Sequence, residues 1–524
     1  MQRNLHHLAR VFALILCWAT ALPAQDAARF APAGAVAYVQ IDGLASLRKD
    51  WEKDPLATYI KENLPLPPQQ GWDDLQKVMG LSEQEIIDKF LGQTITLIAF
   101  ESGQNPPLMI VSKVAQADAD LAIEKMQLKA TGMLGQWKGY SSTDNKATIV
   151  VGGGWVIVVD KRIGDAVKPV LEGKGKTLAD DPAFVQWIDR LPKSRSVTAF
   201  MREGDTEAHA IAAVRQGRNV TLHYRGKSAE FARITGHMSD GKALDFGPLP
   251  ASTIAAVNLN VKIEPPGDGK QIDRLFPGKV FRRDIAPKLG APLVAFLGEV
   301  PGNELHPKAS YNAPVVGVAL RLRDPKVGDD LTNTINSLML LANVAAANWN
   351  VPAVEIAETS HGNVLFRVAE VGAALSNHLQ RPEAAHLKIA YGRVGDHFVI
   401  CSHDKFFARC IDAAQNPSHS LAADREFTAM PLKAHEAPII SAMLKPAALA
   451  AHVNGLLEHW KKERPQLLDS ADPGARSNAE PTPEMKLVRG MKFISGFLNH
   501  YQSMSLQVWR EGDILAGQAD IVRK

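Results

Sequence analysis

Short apolar runs separated by Gly, Pro and Asn turns recur along the chain, and this pattern predicts strands joined by hairpins. In the first half, residues 35–41, 94–100 and 108–114 have the length and composition of strands. Residues 149–159 carry a Gly-Gly-Gly run at their centre, which predicts two strands joined by a tight turn. Because hairpins outnumber strand-helix-strand crossovers, we expect an α+β fold with largely antiparallel sheets.

Apolar positions spaced three or four residues apart predict helices between these strands. One helix is expected from Asp118, and a last hairpin of the first half is expected over residues 220–238. The apolar side of that helix comprises Leu121, Met126, Leu128 and Leu134. In the second half, Pro325 predicts the start of a long helix, because a proline lacks only an N–H that the first helical turn leaves unused. A further helix is expected from Asp404, and a hairpin over residues 505–520.

Three short blocks of the first half return in the same order in the second half. The matching blocks are residues 32–41 with 250–259, 97–100 with 293–296, and 177–184 with 420–427. Their separation is far longer than the roughly 20–50 residues of a solenoid repeat, so they predict a duplicated domain. We expect a first module at residues 30–240, a Gly- and Pro-rich linker at 241–250 and a second module at 251–524.

Residues 463–483 interrupt the second module. This segment contains four prolines and no periodic apolar pattern, which predicts a mobile surface insertion. It separates two stretches with apolar stripes at helical spacing, and such stripes are typical of helices that pack in a core. The stripes comprise Leu449, Val453, Leu456 and Trp460, and Leu487, Met491, Ile494, Leu498 and Tyr501.

The N-terminus has the pattern of a secretory signal. Arg3 and Arg10 supply positive charge ahead of a short apolar run that begins at Val11. Ala21 and Ala24 are small residues that suit a cleavage site. The run is about 12 residues long, whereas a helix that spans a bilayer needs about 20. We therefore expect residues 1–24 to be a cleaved signal peptide. The mature protein is expected in the periplasm or outside the cell, with no stable membrane insertion.

The composition argues against nucleic acid as a partner and against a fold held together by disulfides. The 59 basic and 56 acidic residues leave a net charge of +3, and no basic stretch is interleaved with aromatic residues. Nucleic acid is therefore not an expected partner. Removal of the signal leaves Cys401 and Cys410 as the cysteines of the mature chain, so no disulfide framework is expected.

Motifs that encode a catalytic mechanism each fail at a particular residue. The Gly-Lys-Gly-Lys-Thr run from Gly173 resembles a phosphate-binding loop, but Val170 stands where the motif needs its first glycine. His435 begins a zinc-protease pattern that Ile439 breaks. Residues 402–404 read Ser-His-Asp, but neighbouring side chains point apart and cannot form a catalytic relay. The sequence therefore indicates no cofactor and gives no positive sign of an enzyme.

One cluster has the chemistry of a metal site. His397, Cys401 and His403 share the parity that places alternate residues on one face of a strand, and Cys410 follows in the next helix. Imidazole and thiolate ligands suit zinc or copper. The two cysteines could instead form a disulfide in an oxidising compartment, or remain buried thiols.

The strand after Pro32, the Leu-Arg-Lys-Asp-Trp-Glu-Lys-Asp-Pro-Leu-Ala stretch from Leu47 and the Leu-Ala-Asp-Asp-Pro-Ala-Phe block from Leu178 resemble a domain-of-unknown-function family of exported bacterial proteins. The resemblance implies export and a duplicated α+β scaffold, and it offers no catalytic residues. The favoured function is a non-catalytic binding or scaffolding protein with an unknown envelope or extracellular partner. The alternatives are a secreted hydrolase whose acid/base pair leaves no sequence spacing, and a metal-binding protein that uses the His397 cluster.

Overall fold

The structure, a computed structural model, describes most of the 524-residue chain. The described residues are 27–63, 76–77, 79–101, 106–142, 146–204, 207–239, 245–263, 270–276, 278–305, 311–347, 352–372, 376, 387–432, 434–463 and 482–524. The expected signal peptide, residues 241–244 of the expected linker and residues 464–481 of the expected insertion lie outside them.

The chain forms two compact units. The first contains the residues up to Ala232 together with Glu511–Val522, and the second contains Arg233–Arg510 with Arg523–Lys524. The expected modules at 30–240 and 251–524 differ from these units mainly in where residues 511–522 belong. Both units combine helices with antiparallel strands, so the predicted α+β class is confirmed.

The first unit is built on one antiparallel sheet. Its strands are β1 (Ala37–Asp42), β2 (Thr94–Ala99), β3 (Leu108–Lys113), β4 (Lys129–Leu134), β5 (Trp137–Ser141), β6 (Ala147–Gly152), β7 (Trp155–Asp160), β8 (Val197–Glu203), β9 (Glu207–Gln216), β10 (Asn219–Lys227) and, numbered in chain order, β20 (Ile514–Arg523). They pair in the order β4-β5-β6-β7-β3-β2-β1-β8-β9-β10-β20.

Helices pack on both faces of this sheet. They are α1 (Leu44–Glu52), α2 (Pro55–Asn63), α3 (Gln116–Lys125), α4 (Gly164–Leu171) and α5 (Pro182–Ile188), and α6 (Ala229–Gly236) follows β10. Phe184 of α5 packs edge-to-face on Tyr38 and Phe200, with ring centroids 5.1 and 5.2 Å apart. Helix α5 begins here because Asp181 accepts a hydrogen bond from the N–H of Ala183, which caps the helix.

The second unit has the same strand order as the first. Its strands are β11 (Thr253–Leu259), β12 (Leu289–Val300), β13 (Ala313–Leu322), β14 (Glu355–His361), β15 (Val364–Glu370), β16 (Ile389–Val394), β17 (His397–Cys401), β18 (Ile440–Leu444) and β19 (Tyr501–Glu511). They pair in the order β14-β15-β16-β17-β13-β12-β11-β18-β19, which corresponds strand for strand to β4 through β9.

Four longer helices accompany the described strands of the second unit. They are α7 (Val327–Ala347), α8 (Asp404–Gln415), α9 (Pro446–Glu463) and α10 (Pro483–Leu498). Helix α8 covers one face of the sheet, where Phe406 stacks on Phe296 and Phe407 stacks on Phe366. Helix α7 packs on the opposite face against β16 and β17. Helices α9 and α10 lie between β18 and β19 in the chain, whereas β8 and β9 follow each other directly.

The repeated sequence blocks contact each other in both units. In the first unit the N–H of Leu178 donates to the C=O of Ala31 over 2.7 Å. In the second unit the N–H of Leu421 donates to the C=O of Leu249 over the same distance. These blocks therefore hold the segment before β1, or before β11, against the turn that precedes a helix.

A buried ion pair also recurs at matching positions. Asp181 Oδ2 lies 2.5 Å from the guanidinium of Arg202, and Asp424 Oδ2 lies 3.1 Å from Lys445 Nζ. The partners are 21 residues apart in the first pair, and the numbering shows the same separation in the second. Burial alone would raise the pKa of Asp181, but hydrogen bonds from Arg202 and from backbone N–H groups lower it overall.

Two local predictions are wrong. The predicted helix from Asp118 ends at Lys125, because Gln127 adopts a positive φ of 50° and the apolar residues beyond it form β4. The predicted hairpin over 220–238 is replaced by a pairing of β10 with β9, and the chain then enters α6. Ser228 Oγ accepts from the N–H of Phe231 at this point, which favours a helix start.

Candidate functional site

The two histidines of the expected metal cluster each contact residues that are close to them in the sequence. His397 begins β17, and its Nδ1 lies 2.7 Å from Asp396 Oδ1. Its Nε2 faces the backbone of Gly247 and has no hydrogen-bond partner among the described residues. His403 caps α8, where its Nδ1 accepts from the N–H of Lys405 over 3.2 Å. The structure therefore gives each imidazole a separate local role.

The two cysteines of the cluster are free thiols in the core beneath α8. Burial raises the pKa of Cys401 to about 12, and burial together with the neighbouring Cys401 raises the pKa of Cys410 well above its ordinary value. A thiol must lose its proton to ligate a metal or to attack a substrate, and burial disfavours that loss. Among the described residues no three His, Cys, Asp or Glu side chains are grouped so that they could hold a metal ion.

We expect Cys401 and Cys410 to resist alkylation by iodoacetamide in the native protein near pH 8, because burial keeps both thiols protonated and out of reach. Both should be modified after unfolding in urea. Peptide mass spectrometry without a reductant measures each cysteine. Modification in the native state would contradict their burial, and a bridged peptide carrying both cysteines would establish the disulfide instead.

A polar cavity of about 700 Å³ lies at the tips of the β14–β15 and β16–β17 hairpins. It opens there because the ladder between β15 and β16 stops at the pair of Arg367 and Tyr391. Glu358 lines the cavity but is held in an ion pair with Arg367 over 2.7 Å. No Ser, Cys, Lys or His lines it among the described residues. Asp329, Thr332 and Tyr391 also line it, and Thr332 Oγ1 donates to the C=O of Gly328.

The sheet of the second unit has one face made entirely of aliphatic side chains over three cross-strand rows. In the middle row Val318 pairs with Ala295, Ala295 with Val257, Val257 with Ala442, and Ala442 with Leu506. The other two rows comprise Val316, Leu297, Ala255, Leu444 and Met504, and Leu320, Leu293, Leu259, Ile440 and Val508. We call these three rows the apolar sheet face. Five strands at about 4.8 Å spacing make it roughly 19 Å wide.

Part of the apolar sheet face remains open to solvent. Val316 is 59% exposed, Leu506 38%, and Val318 and Val257 36% each. Side chains at the intervening positions of the same strands, such as Phe296 and Val294, point to the other face and are buried in the core beneath α8. The opening is therefore confined to one side of the sheet.

The corresponding face of the first unit exposes Leu97 and Leu108, but it is more covered on the side of β8 and β9, where Val197, Ala199 and Ala213 are buried. On β9, His209 stands where Met504 lies on β19, and His209 Nδ1 lies 2.8 Å from the hydroxyl of Tyr224 on β10. The ring of Phe231 packs edge-on against His209, with ring centroids 5.8 Å apart. Burial lowers the pKa of His209, which favours the neutral ring. The second unit therefore provides the more open aliphatic surface.

Comparisons with known proteins do not show a family for this chain. No protein-family model matches the chain, and no curated protein matches it significantly. Crystal forms IV, III and I of TP0453 are similar to parts of it, at 11%, 11% and 12% sequence identity and TM-scores of 0.25, 0.25 and 0.24. These alignments cover 41%, 42% and 40% of this chain and 85%, 88% and 86% of TP0453. Similarity this low supports no conclusion about fold or function.

The helices provide one further observation. Among the described residues, no helix has both the length and the hydropathy that crossing a bilayer requires.

Proposed function

We propose that this protein is an exported, non-catalytic binding protein whose second unit binds an aliphatic ligand on the apolar sheet face. The observation that carries the proposal is the set of four exposed aliphatic side chains on paired strands: Val257, Val316, Val318 and Leu506. Contiguous exposed apolar surface of this kind typically marks a binding site. The N-terminal signal pattern and the resemblance to exported proteins of unknown function support export to the cell envelope.

The chemistry of this face favours an aliphatic chain, such as the acyl chain of a lipid, over a folded protein. Its three rows contain Val, Leu, Ile, Ala and Met and no aromatic or charged residue. Protein–protein hot spots are enriched in Trp, Tyr and Arg, and Leu and Val are under-represented in them. The backbone N–H and C=O groups of these strands are engaged in the sheet, so recognition would rest on non-directional apolar contact.

Three groups that could take part in catalysis are buried or paired, which supports a non-catalytic role. Cys401 and Cys410 are buried thiols, and the carboxylate of Glu358 in the polar cavity is paired with Arg367. No metal or cofactor is needed for binding by apolar contact. The partner we propose is therefore a ligand molecule of the envelope or the extracellular space, and not a substrate.

We also propose that the two units descend from one duplicated module. Their matching strand orders support this origin, as do the contacts between their repeated blocks. The paired positions of Asp181 with Arg202 and of Asp424 with Lys445 add a third correspondence. In this view α9 and α10 are an addition to the second copy, and the aliphatic binding face is a specialisation of that copy.

We expect the double variant Val316→Asp/Leu506→Asp to bind cis-parinaric acid, a fluorescent fatty acid, at least about tenfold more weakly than the wild type. Two carboxylates placed in the apolar rows would each have to lose water on ligand binding, and tenfold corresponds to only about 1.4 kcal/mol. Both wild-type side chains are well exposed, so the fold should tolerate the changes. Fluorescence titration of the purified protein measures the affinity.

Met133→Asp is the matched control, because Met133 is a 65% exposed apolar residue on β4 of the first unit. Its affinity should equal that of the wild type. Equal binding by the double variant, or no binding by the wild type, would reject the proposal. Turnover of an ester or glycan by the purified protein, abolished by one carboxylate substitution, would favour the hydrolase instead.

A further inference from the structure

Helix α7 exposes a second aliphatic surface in the second unit. Residues 331–347 of this helix contain no charged residue. One stripe, formed by Leu331, Ile335 and Met339, packs against the sheet. The other sides of the helix carry exposed side chains: Leu338 is 41% exposed, Leu340 60%, Leu341 64% and Val344 68%. We call these four residues the α7 apolar surface. A helix that is apolar on nearly all sides is normally buried in protein or in lipid.

Three polar side chains in this part of α7 make hydrogen bonds inside the protein. Asn336 Oδ1 accepts from the Tyr391 hydroxyl over 2.5 Å. Asn343 bonds both the N–H and the C=O of Val354, at 2.7 and 2.8 Å. Ser337 Oγ donates to the C=O of Asn333 within the helix. Asn336, Ser337 and Asn343, which lie beside the α7 apolar surface, are therefore already hydrogen-bonded.

We infer that the α7 apolar surface docks this protein reversibly on a lipid surface, and that this surface is the source of the aliphatic ligand. The second half of the inference rests on the proposed function. Protein interfaces usually contain about one hydrogen bond per 100–200 Å², and the polar side chain of residues 338–347, that of Asn343, is already bonded to Val354. Hydrocarbon instead requires that polar groups be satisfied internally, which Asn343 achieves here with both its amide oxygen and its amide N–H.

The charge of α7 specifies the kind of lipid surface. Anionic membranes attract clusters of Lys and Arg, and residues 327–347 contain neither. The nearest charges of the helix are Asp329 and Asp330 in its first turn. Docking therefore relies on apolar contact at the level of the headgroups and upper acyl chains, the depth that interfacial helices reach. Neutral phosphatidylcholine should suffice.

Flotation of the full chain with phosphatidylcholine vesicles tests the inference. The wild type should float with the vesicles, and Leu340→Asp/Val344→Asp should reduce the bound fraction at least about tenfold, because carboxylates are costly to place among acyl chains. The control is Leu487→Asp/Ile494→Asp on α10, whose wild-type side chains are 55% and 48% exposed. It should float like the wild type.

Three outcomes would overturn the inference. The wild type does not float with the vesicles, the α7 double variant floats as well as the wild type, or the wild type floats only when the vesicles contain phosphatidylserine. Gel filtration adds a fourth, since a wild-type dimer that the α7 variant converts to a monomer would assign the surface to a second copy of the chain. Parinaric acid titration separates docking from ligand binding. The α7 variant should bind the free probe normally, and Val316→Asp/Leu506→Asp should still float.

Discussion

Replacing Asp424 with Ala is expected to destabilise the protein by about 3–5 kcal/mol, because it removes the partner of a buried cation. Lys445 is only 4% exposed, and its Nζ lies 3.1 Å from Asp424 Oδ2 and 2.8 Å from the C=O of Ala251. Without the carboxylate, the ammonium would remain buried with one neutral acceptor. The change also removes the hydrogen bond that Asp424 accepts from the N–H of Phe427 at a helix start.

Thermal unfolding followed by circular dichroism measures this effect. A loss of 3–5 kcal/mol corresponds to a Tm lower by about 6–20 °C for a unit of 150–250 residues. Adding Lys445→Met should recover part of the loss, because a buried apolar side chain needs no counter-ion. Asp513→Ala is the control, since Asp513 pairs with Lys227 at the surface and should leave the Tm unchanged. An unchanged Tm for Asp424→Ala would contradict the prediction.

Replacing Phe406 with Ala is expected to cost about 3–5 kcal/mol, the usual effect of removing a buried aromatic ring. Phe406 is fully buried and stacks on Phe296, with ring centroids 5.4 Å apart. Its ring lies so close to Gly298 that a Cβ at that position would overlap it. Gly298→Ala alone should therefore destabilise by about 1–3 kcal/mol through overpacking.

The two core changes should compensate each other in a double-mutant cycle. Once the Phe406 ring is gone, the methyl group of Gly298→Ala enters free space, so the second change should cost little in the Phe406→Ala background. Urea unfolding of the wild type, both single variants and the double variant gives the coupling energy. Additive losses would show that the two sites do not share this space.

The strands of this fold could be predicted from sequence more reliably than its helices. Apolar runs bounded by turn residues located β1, β2 and β3, because a strand needs only a few consecutive residues to show its pattern. The helix after Asp118 was extended too far because Leu128 and Leu134 continue a 3–4 spacing by coincidence. The positive φ at Gln127 that ends it has no sequence signature as strong as a glycine.

The candidate site was harder to predict than the fold. The alternate spacing of His397, Cys401 and His403 predicts that they share one face of a strand. It does not predict which residues of other strands and helices each side chain contacts. The apolar sheet face did leave a signal, since β12 reads Leu293-Val-Ala-Phe-Leu without a polar residue. An antiparallel strand with one solvated face usually alternates, so an unbroken apolar run indicates that both faces are apolar. Exposure itself depends on what covers the sheet, and sequence patterns do not encode that.

Strand β20 has a consequence for biosynthesis. It pairs with β10 over residues 220–226 and closes that edge of the first sheet, yet it follows the whole second unit in the chain. During synthesis the first unit must therefore wait, with β10 as an unpaired edge, until the second unit has emerged. Unpaired edges invite pairing with other chains. The interval before β20 arrives is thus the period in which a nascent chain most needs a chaperone.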